Sequence, residues 1–347
     1  MGSNTADQAP RPSQSFSGPG RIDVHHHCFP GEIQELQSEF ENNSYNLNYT
    51  PFPKSAEEHL VYMDEVGIQT AVIAPSIKQE WHSTFSPAEF ASLCRRSLQS
   101  QMKYVSHNPL RFGCFAMLPL PHIHETIEFV RETQAMSPRP DGFAVTTAMG
   151  QRYLGDKDFE PVWKELDALG SVIFIHPADT IMPPGLNFGP FVQEFPFDTC
   201  RAITSIISSG TLLRTPNIHF IFSHNGGAFP YLADRIGKQH TDNIVVKANE
   251  GLSTRELLST KKIYFDTSIS SPMQYALIKN LGMSTDQLLY ATDFPYTKRY
   301  DNTTYLDGYD APKESGLFDN KDMEKIVRLN ALKLLPRLAK LYSEFWP

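Results

Sequence analysis

The sequence predicts an α/β fold, a (β/α)8 barrel of the TIM type. Eight short apolar segments alternate with segments of helical periodicity along the chain. Most of the apolar segments are hydrophobic throughout, which is typical of parallel strands covered by helices. The 347 residues are enough for eight such units. An open, doubly wound sheet is the alternative, but no glycine-rich dinucleotide motif follows the first strand.

The predicted strands are apolar runs, most of which end in a polar residue or a proline. They lie within residues 21–30, 70–75, 111–119, 142–147, 171–177, 218–224, 262–267 and 287–295. Helical spacing predicts helices at 55–66, 87–103, 124–136, 159–169, 201–209, 231–239 and 254–258, and a C-terminal helix from about 321 that Pro336 interrupts. The first helix has the clearest ends, because Ser55 and Glu58 have capping-box spacing and Gly67 follows the last turn.

Residues 1–20 differ in composition from the rest of the chain. They are rich in Pro, Ser, Gln and Gly and lack the apolar segment of a signal peptide. We therefore expect a disordered N-terminal tail. No comparable change in composition occurs later, so we expect residues 21–347 to form one domain, the barrel with its C-terminal helices.

The charge and the cysteines exclude several classes of function. The formal net charge is −8 and no basic stripe is present, which argues against nucleic acid or an anionic membrane as a partner. No apolar run is long enough to span a bilayer. The four scattered cysteines are typical of reduced thiols in a cytoplasmic protein; they are Cys28, Cys94, Cys114 and Cys200.

The first predicted strand ends in three consecutive histidines. Side chains two positions apart on a strand point to the same face, so His25 and His27 can converge while His26 points away. Pairs of imidazoles on a rigid strand suit a borderline divalent ion such as zinc. On its own, the run is equally compatible with chance or with the remnant of a tag.

Three other predicted strands also end in side chains that can bind a metal ion. They are His176 after the fifth strand, His224 after the sixth and Asp293 after the eighth. Because side chains alternate along a strand, each of them is expected to share a face with apolar residues of its own strand. His176 is grouped with Val172 and Phe174, His224 with Phe220 and Phe222, and Asp293 with Leu289 and Ala291. His219 falls on the opposite face of the sixth strand, where a structural role is expected. Catalytic groups of such barrels lie at the carboxyl ends of the strands, so we expect one shared site.

The residues at these strand ends resemble the motifs of one enzyme superfamily. The pattern comprises His-x-His, His-Pro, and the segments Ser223-His224-Asn225-Gly226-Gly227-Ala228-Phe229-Pro230 and Ala291-Thr292-Asp293-Phe294-Pro295. It is similar to the amidohydrolase superfamily and, within it, to the aminocarboxymuconate-semialdehyde decarboxylase branch. The His-x-His opening and residues 116–121, Ala-Met-Leu-Pro-Leu-Pro, most resemble fungal 6-methylsalicylate decarboxylases. The resemblance covers about residues 21–340.

The resemblance implies a role for each strand-end residue. His25, His27, His176 and Asp293 are the implied ligands of one divalent metal ion, with zinc expected, manganese as the alternative and no organic cofactor. His224 is the implied acid/base beside the open coordination position. Binuclear amidohydrolases usually carry a carboxylated lysine after the fourth strand. Residues 142–150 contain no lysine, so a single-metal site is favoured.

Other positions bear on the substrate. His59 stands where the best-known member of the branch has a substrate-binding arginine, which counts against a semialdehyde dicarboxylate; packing is the alternative role. Phe191, at the position of a tryptophan in the loop 181–197, is a candidate pocket residue, as are Phe188 and Trp81, with packing as the alternative. Arg235 is a candidate for contacting a substrate carboxylate, including across a homodimer interface, with a surface or capping role as the alternative.

These features predict a carboxy-lyase that decarboxylates an aromatic ortho-hydroxy acid without oxidation. The expected substrate is 6-methylsalicylate or a similar acid, and the products are a phenol and CO2. The metal would act as Lewis acid and template, and either Asp293 or His224 would protonate the ring. One alternative is hydrolysis of a lactone or amide at the same metal site, although the aromatic loop favours a flat arene. The other is a binding module with a closed metal shell, against which the additional His224 argues.

Overall fold

Eight parallel strands form the barrel that the sequence predicts. They are β1 Arg21–Cys28, β2 Ile68–Pro75, β3 Phe112–Met117, β4 Gly142–Thr146, β5 Val172–His176, β6 His219–Phe222, β7 Ile263–Asp266 and β8 Leu288–Leu289. Each strand pairs in parallel with the next one along the chain. The predicted fold class is therefore confirmed.

The computed structural model describes residues 20–29, 31, 33, 53–76, 78, 81–178, 188–238, 243–297 and 308–346. The predicted disordered tail lies outside the described residues except for Gly20. Residues 181–187 of the predicted aromatic loop also lie outside them.

Backbone hydrogen bonds close the barrel between β1 and the segment that follows β8. The amide of Asp293 donates to the carbonyl of His25 at 2.8 Å, and the amide of His27 donates to the carbonyl of Phe294 at 2.8 Å. These bonds fix the backbone positions of three predicted metal ligands, His25, His27 and Asp293, relative to one another.

Helices surround the barrel. The longer ones are α1 Ala56–Val66, α2 Pro87–His107, α3 Ile123–Gln134, α4 Glu160–Ala168, α5 Pro190–Ser208, α6 Phe229–Lys238, α7 Pro272–Asn280 and α8 Pro336–Phe345. Shorter helices are Trp81–Thr84, Thr211–Arg214, Ile244–Ala248, Thr254–Ser259, Asp310–Glu314, Asn320–Glu324 and Asn330–Leu334, with a π-helical turn at Lys325–Leu329. A small hairpin, Ala148–Met149 with Arg152–Tyr153, follows β4. Among the described helices, none combines the length and the apolar character that crossing a membrane requires.

The ends of α1 follow from its sequence, with one difference. The Ser55 side chain accepts a hydrogen bond from the Glu58 amide at 3.4 Å, and Gly67 adopts the left-handed conformation with φ of 73°. The Glu58 carboxylate accepts from the amide of Lys54 at 2.9 Å instead of from that of Ser55. Only half of the predicted capping box is therefore formed.

Helix α5 begins well before the predicted start at residue 201. It starts at Pro190, a residue that suits the first helical turn because its missing N–H would have no partner there. Pro196 lies in the second turn, where a proline usually ends a helix, so the sequence favoured a loop. The carbonyl of Pro196 accepts from the amide of Ala228 at 3.0 Å, which ties α5 to the turn after β6.

Helix α8 closes the amino-terminal end of the barrel. Tyr342 hydrogen-bonds Thr70, near the start of β2, at 2.8 Å between the two hydroxyl oxygens. Arg337 donates to the carbonyl of Phe112, at the start of β3, at 3.0 Å. Leu338 and Tyr342 also pack on the apolar interior of the barrel. The opposite, carboxyl end is therefore the end left for a site, as is usual for this fold.

Candidate metal centre

Four histidines and one aspartate meet at the carboxyl end of the barrel. The ring of His25 lies 4.9 Å from that of His27, 4.8 Å from that of His176 and 5.3 Å from that of His224, between centroids. Asp293, in the turn after β8, contacts three of these imidazoles. The structure thus brings together all five side chains that the sequence selected at the strand ends.

A β-bulge in β1 turns His25 and His27 toward this site. Val24 packs in the barrel interior, so strict alternation would point His25 outward. The pairing of β1 with β2 shifts between Asp23 and His26, and Asp23 Oδ1 accepts a hydrogen bond from the amide of His25 at 3.0 Å. The extra residue reverses the alternation. His25 and His27 consequently face inward and His26 faces outward.

The side-chain alternation predicted for the sixth strand is wrong. Phe220 and Phe222 pack outside the barrel against the helices, whereas Ile221 packs inside it. His219 therefore shares the inner face with Ile221, and its ring contacts Tyr264 at 5.6 Å between centroids. The strand ends at Phe222, so alternation no longer applies two residues later.

His224 reaches the site because the backbone turns sharply after β6. His224 and Asn225 have φ of 54° and 57°, in the left-handed region that side chains other than glycine seldom adopt. The next two residues explain the paired glycines of the motif. A Cβ atom on Gly226 would meet the Phe265 ring, and one on Gly227 would collide with the backbone of Pro196.

The donor atoms of these side chains converge. Nε2 of His25 and Nε2 of His27 lie 3.0 Å apart, and each lies 3.0 Å from Oδ1 of Asp293. Oδ1 of Asp293 nonetheless makes no hydrogen bond of normal geometry. Potential ligand atoms of His25, His176, His224 and Asp293 all lie within 4.8 Å of one another. Two atoms bound to one cation at about 2.0–2.2 Å lie at most about 4.4 Å apart, so the 3.0 Å separations around Oδ1 of Asp293 suit a single ion.

Asp266, at the end of β7, orients His25. Its Oδ2 lies 2.8 Å from Nδ1 of His25, and the Ser268 hydroxyl lies 3.0 Å from the same nitrogen. Because the carboxylate can only accept, Nδ1 carries the proton and Nε2 faces the cluster, the arrangement typical of a metal-binding histidine. Burial lowers the pKa of His25, but the Asp293 and Asp266 carboxylates outweigh burial and raise this pKa to about 10. An ion bound here would therefore displace a proton.

Asp266 was not among the predicted site residues, although its place in the sequence fits the same pattern. Asp266 ends the seventh predicted strand, just as Asp293 follows the eighth. The rule that selected the other strand-end residues applies equally to Asp266.

His176 and Asp293 have the protonation states that a cation requires. Burial, reinforced by the neighbouring imidazoles, lowers the pKa of His176 well below its usual value, and its buried Nε2 has no hydrogen-bond partner. Burial opposes ionisation of Asp293, but the charge of His25 and the hydrogen bond to His224 hold its pKa well below the usual range. Imidazole nitrogens and a carboxylate oxygen are the donors that zinc and manganese accept. The residues present therefore fit a divalent ion.

His224 contacts the other oxygen of Asp293. Its Nε2 lies 3.3 Å from Oδ2, whereas His25 and His27 lie beside Oδ1. Nδ1 of His224 is buried and has no hydrogen-bond partner. The neighbouring Asn225 is fully buried, and neither polar atom of its side chain has a partner. Unpaired buried groups of this kind are available to a ligand or a water molecule.

A second polar cluster lies on the outward face of β1. Nδ1 of His26 lies 3.0 Å from Oδ2 of Asp23, and Nε2 of His26 lies 2.9 Å from Nδ1 of His59. Asp23 also accepts from the Thr292 hydroxyl at 2.6 Å and from the Thr292 amide at 3.1 Å. Both ring nitrogens of His26 are thus occupied by protein groups. His59 is fully buried, in agreement with the packing role considered for it.

The candidate substrate residues lie in different surroundings. Trp81 is 2% exposed and belongs to the apolar core, on the short helix Trp81–Thr84. Phe191 is 40% exposed and lies on α5 instead of in the predicted loop, while the partly buried Phe188 precedes that helix. Arg235 is exposed on α6, and its contact with a substrate carboxylate or a partner subunit stays a prediction.

Two other aromatic residues contact the metal-centre histidines. The Phe195 ring lies 6.2 Å from that of His176, and the Tyr296 ring lies 5.2 Å from that of His27, both edge to face. Phe195 stands in the segment that the sequence assigned to an aromatic loop. Phe195 therefore places an aromatic ring beside the cluster, and it does so from the first turns of α5 instead of from a loop.

Comparison with known proteins places this geometry in a family. Residues 22–337 match the model of the Amidohydrolase family. The decarboxylase yanB of Aspergillus niger is 30% identical over 339 residues, which cover 91% of this chain and 88% of the relative. The 6-methylsalicylic acid decarboxylase of Penicillium expansum is 28% identical over 332 residues, covering 92% and 97%.

Solved structures share the fold. A dihydroxybenzoic acid decarboxylase from a Polaromonas species, with bound manganese and the inhibitor 2-nitroresorcinol, superposes with a TM-score of 0.73 at 20% identity. The match covers 91% of this chain and 97% of that one. The chain therefore belongs to the amidohydrolase family, in the branch of carboxy-lyases that includes the aminocarboxymuconate-semialdehyde decarboxylases.

Proposed function

We propose that this protein is a metal-dependent, non-oxidative decarboxylase of an ortho-hydroxy aromatic acid, 6-methylsalicylate or a close 2-hydroxybenzoate. The observation that carries the proposal is the convergence of imidazole nitrogens and one carboxylate oxygen at the carboxyl end of the barrel. The 6-methylsalicylic acid decarboxylase relative supports the substrate. The manganese-bound neighbour supports the metal dependence.

In this proposal His25, His27, His176 and Asp293 hold one divalent ion, either zinc or manganese. His27 is preferred to His224 as a ligand because its Nε2 lies with that of His25 beside the same oxygen of Asp293. When bound, the ion supplies Lewis acidity and a template for the substrate carboxylate and the ortho oxygen. The reaction needs no organic cofactor, because the aromatic ring itself accepts the electron pair of the broken bond.

His224 holds and moves the proton. A proton on its Nε2 is shared with Oδ2 of Asp293 at 3.3 Å, so the two candidate proton donors act as a coupled pair. Transfer of this proton to the carboxyl-bearing ring carbon interrupts aromaticity. Cleavage of the bond to the carboxyl group then returns the electron pair to the ring and releases CO2. The pair regains a proton from solvent before the next turnover.

The surroundings of the cluster suit a flat, apolar substrate. Phe195 and Tyr296 offer ring surfaces beside two of the histidines. The buried side-chain amide of Asn225 has no protein partner and is the polar group we assign to a substrate oxygen or to an ordered water.

A comparison of two isomers tests the proposal. The ortho hydroxyl would offer a second oxygen to the ion held by the metal centre, and it donates the electron density that lets the ring carbon accept a proton. Moving it to the meta position removes both contributions. We therefore expect 2-hydroxy-6-methylbenzoate to yield CO2 and the phenol, and its 3-hydroxy isomer to react only at background rate.

Both reactions are followed with and without a chelator. Equal rates for the two isomers, or turnover that survives metal removal, would contradict the mechanism. Cleavage of a lactone or an amide, with no consumption of any salicylate, would establish hydrolysis in its place.

A further inference from the structure

His25 and His176 are held in different ways. Nδ1 of His25 is bound by Asp266 at 2.8 Å. Nε2 of His176 has no hydrogen-bond partner, and none of the described side chains hydrogen-bonds the other nitrogen of its ring. Apart from the other metal-centre histidines, the rings of Phe174 and Phe195 contact the His176 ring, at 6.1 Å and 6.2 Å between centroids. The orientation of this imidazole therefore depends on packing.

The two aromatic rings beside His176 are held by different parts of the fold. Phe174 belongs to β5, the strand of His176, and packs in the barrel interior. Phe195 is half-buried in the first turns of α5, and its ring meets that of His176 edge to face, with 79° between the ring planes. Aromatic pairs attract each other in this arrangement. Phe195 can therefore fix the His176 ring, provided that α5 is held in place.

Asp198 lies three residues after Phe195 and on the same side of α5. It is 3% exposed. Its Oδ2 accepts a hydrogen bond from the Thr147 hydroxyl, and its Oδ1 accepts from the Tyr153 hydroxyl at 2.6 Å. The half-exposed Arg201 lies 3.7 Å from Oδ1. The two hydroxyls are therefore the close partners of this buried carboxylate.

Both hydroxyls belong to the segment 147–155, which follows β4. A hydrogen bond from a hydroxyl to a carboxylate is stronger than one between neutral groups. Burial and the Asp198 carboxylate raise the pKa of Tyr153, so its hydroxyl keeps the proton that it donates. Asp198 thus fastens α5 to the segment 147–155.

The same segment also holds the backbone of His176. Thr146, the last residue of β4, pairs with His176 in β5, and the amide of Thr147 donates to the carbonyl of His176 at 3.2 Å. Through Thr147, Asp198 fixes α5 relative to the main chain of His176. Through Phe195, the same helix packs on the ring of His176. Helix α5 therefore sets the ring of this residue against its own backbone.

We propose that Asp198 is a positioning residue for the metal ligand His176, because it holds α5 where the Phe195 ring fixes the orientation of the imidazole. The inference rests on the proposed assignment of His176 as a ligand. Loss of the partners that orient a ligand typically weakens metal binding by about 10- to 100-fold. Because packing and not a hydrogen bond restrains His176, we expect a loss at the lower end, about 10-fold.

The test measures the Kd of zinc by competition with a chelator of known affinity. Asp198→Leu removes both acceptors and keeps a side chain of similar size, so we expect Kd to rise about 10-fold. Phe195→Leu removes the aromatic ring and should raise Kd by a similar factor. Asp198→Asn still accepts from one hydroxyl and offers an N–H group to the other, so it should recover most of the affinity.

Ser205→Ala is the matched control. Ser205 also lies on α5, and its hydroxyl oxygen accepts from the amide of Gly155 in the same segment at 3.0 Å. It stands about three turns further along the helix than Phe195. The variant loses a hydrogen bond between the same two elements and should keep the wild-type Kd. An equal rise in Kd for Ser205→Ala and Asp198→Leu would mean that any loosening of α5 weakens the metal, and the assignment of Asp198 would fall.

The double variant Asp198→Leu/Phe195→Leu shows whether Asp198 acts through Phe195. If it does, Asp198→Leu causes little further loss of affinity once the Phe195 ring is gone. Losses that simply add would show that Asp198 acts by another route, and the inference fails. Should Asp198→Leu not fold, Thr147→Val breaks the same link from the other side and takes its place in the comparison.

His176→Ala separates this inference from the proposed metal centre. Metal binding that is unchanged in His176→Ala would refute the assignment of His176 as a ligand. Metal loss in His176→Ala, together with the wild-type Kd in Asp198→Leu and Phe195→Leu, would overturn the role of Asp198 alone.

Discussion

The two faces of β1 carry the same residue types at the same burial but differ in what their nitrogen atoms meet. On the inward face, His25 is held through Nδ1 by Asp266, and its Nε2 lies 3.0 Å from both His27 and Asp293. On the outward face, both ring nitrogens of His26 are hydrogen-bonded to Asp23 or His59. The inward face brings together atoms that can bind one ion, whereas on the outward face both nitrogens of His26 are taken up by protein partners.

Burial and histidine content do not by themselves identify a metal site. A buried histidine whose two nitrogens both have protein partners is a structural element, because nothing remains to bind an ion. A histidine fixed through one nitrogen, with the other facing further donors, has the geometry of a ligand. Because of the β-bulge at Asp23, His25 and His27 face the metal centre, whereas His26 faces outward.

The largest expected effect is the difference between two variants, His25→Ala and His26→Ala, which each remove one of two neighbouring histidines of β1. His25→Ala removes a ligand, so we expect the metal content to fall from about one ion per chain to nearly none and turnover to fall to background. His26→Ala removes an equally buried histidine of the same strand and should keep the ion and most of the turnover. Metal analysis of both purified variants measures the difference, and equal metal content would refute the contrast.

A smaller loss is expected at the proton-handling residue. His224→Ala should retain most of the metal and lower turnover by about 10²–10⁴-fold, the usual contribution of a general acid or base. The measurement pairs kcat for 2-hydroxy-6-methylbenzoate with metal content. Metal loss as complete as that of His176→Ala would make His224 a ligand instead.

Asp266 orients His25, and we expect its substitution to weaken metal binding less than removal of His25 itself. Asp266→Asn keeps the size of the side chain but removes the charge beside Nδ1, and loss of such supporting partners typically weakens metal binding by about 10- to 100-fold. Competition with a chelator of known affinity gives the change in Kd. Ser268→Ala removes the 3.0 Å contact with Nδ1 of His25 and the hydrogen bond that the hydroxyl donates to Asp266 at 2.6 Å, but it keeps the charge of Asp266. It is therefore the control and should change Kd less. An unchanged Kd in Asp266→Asn would show that Asp266 does not act through His25.

The smallest effect concerns the outward cluster. His59→Phe preserves an aromatic ring but removes the N–H group that pairs with His26, so we expect the free energy of unfolding to fall by about 1 kcal/mol. Metal content should not change. Urea denaturation measures the loss, and His59→Gln, whose side chain retains a donor, should recover part of it. A loss of metal in His59→Phe would mean that the two faces are not independent.

Much of the fold and of the site could be predicted from the sequence, for a local reason. The strands of a parallel barrel are nearly all apolar, so a polar residue at a strand end stands out, and the fold brings all carboxyl ends together. His25, His27, His176, His224 and Asp293 were found in this way. The rule needs no knowledge of how distant segments pack.

The features that the sequence did not reveal have the opposite origin, because they depend on contacts between distant segments. The bulge in β1 is stabilised by Asp23, whose carboxylate also binds Thr292 far along the chain. His224 lies in a turn beyond the end of β6, where side chains no longer alternate as they do along a strand. In the first turns of α5, the carbonyl of Pro196 accepts from the amide of Ala228, which lies far along the chain. Neither propensity nor periodicity records such pairings.

If one ion held by His25, His27, His176 and Asp293 makes the protein a decarboxylase, turnover must follow the amount of bound metal, and a metal titration measures this dependence. The protein is stripped with a chelator and reloaded with zinc or manganese in steps, and CO2 release from 2-hydroxy-6-methylbenzoate is measured against bound ion per chain. We predict no turnover without the ion, a proportional rise, and a plateau at about one ion per chain. Turnover in the stripped protein, or a plateau at two ions, would contradict the account.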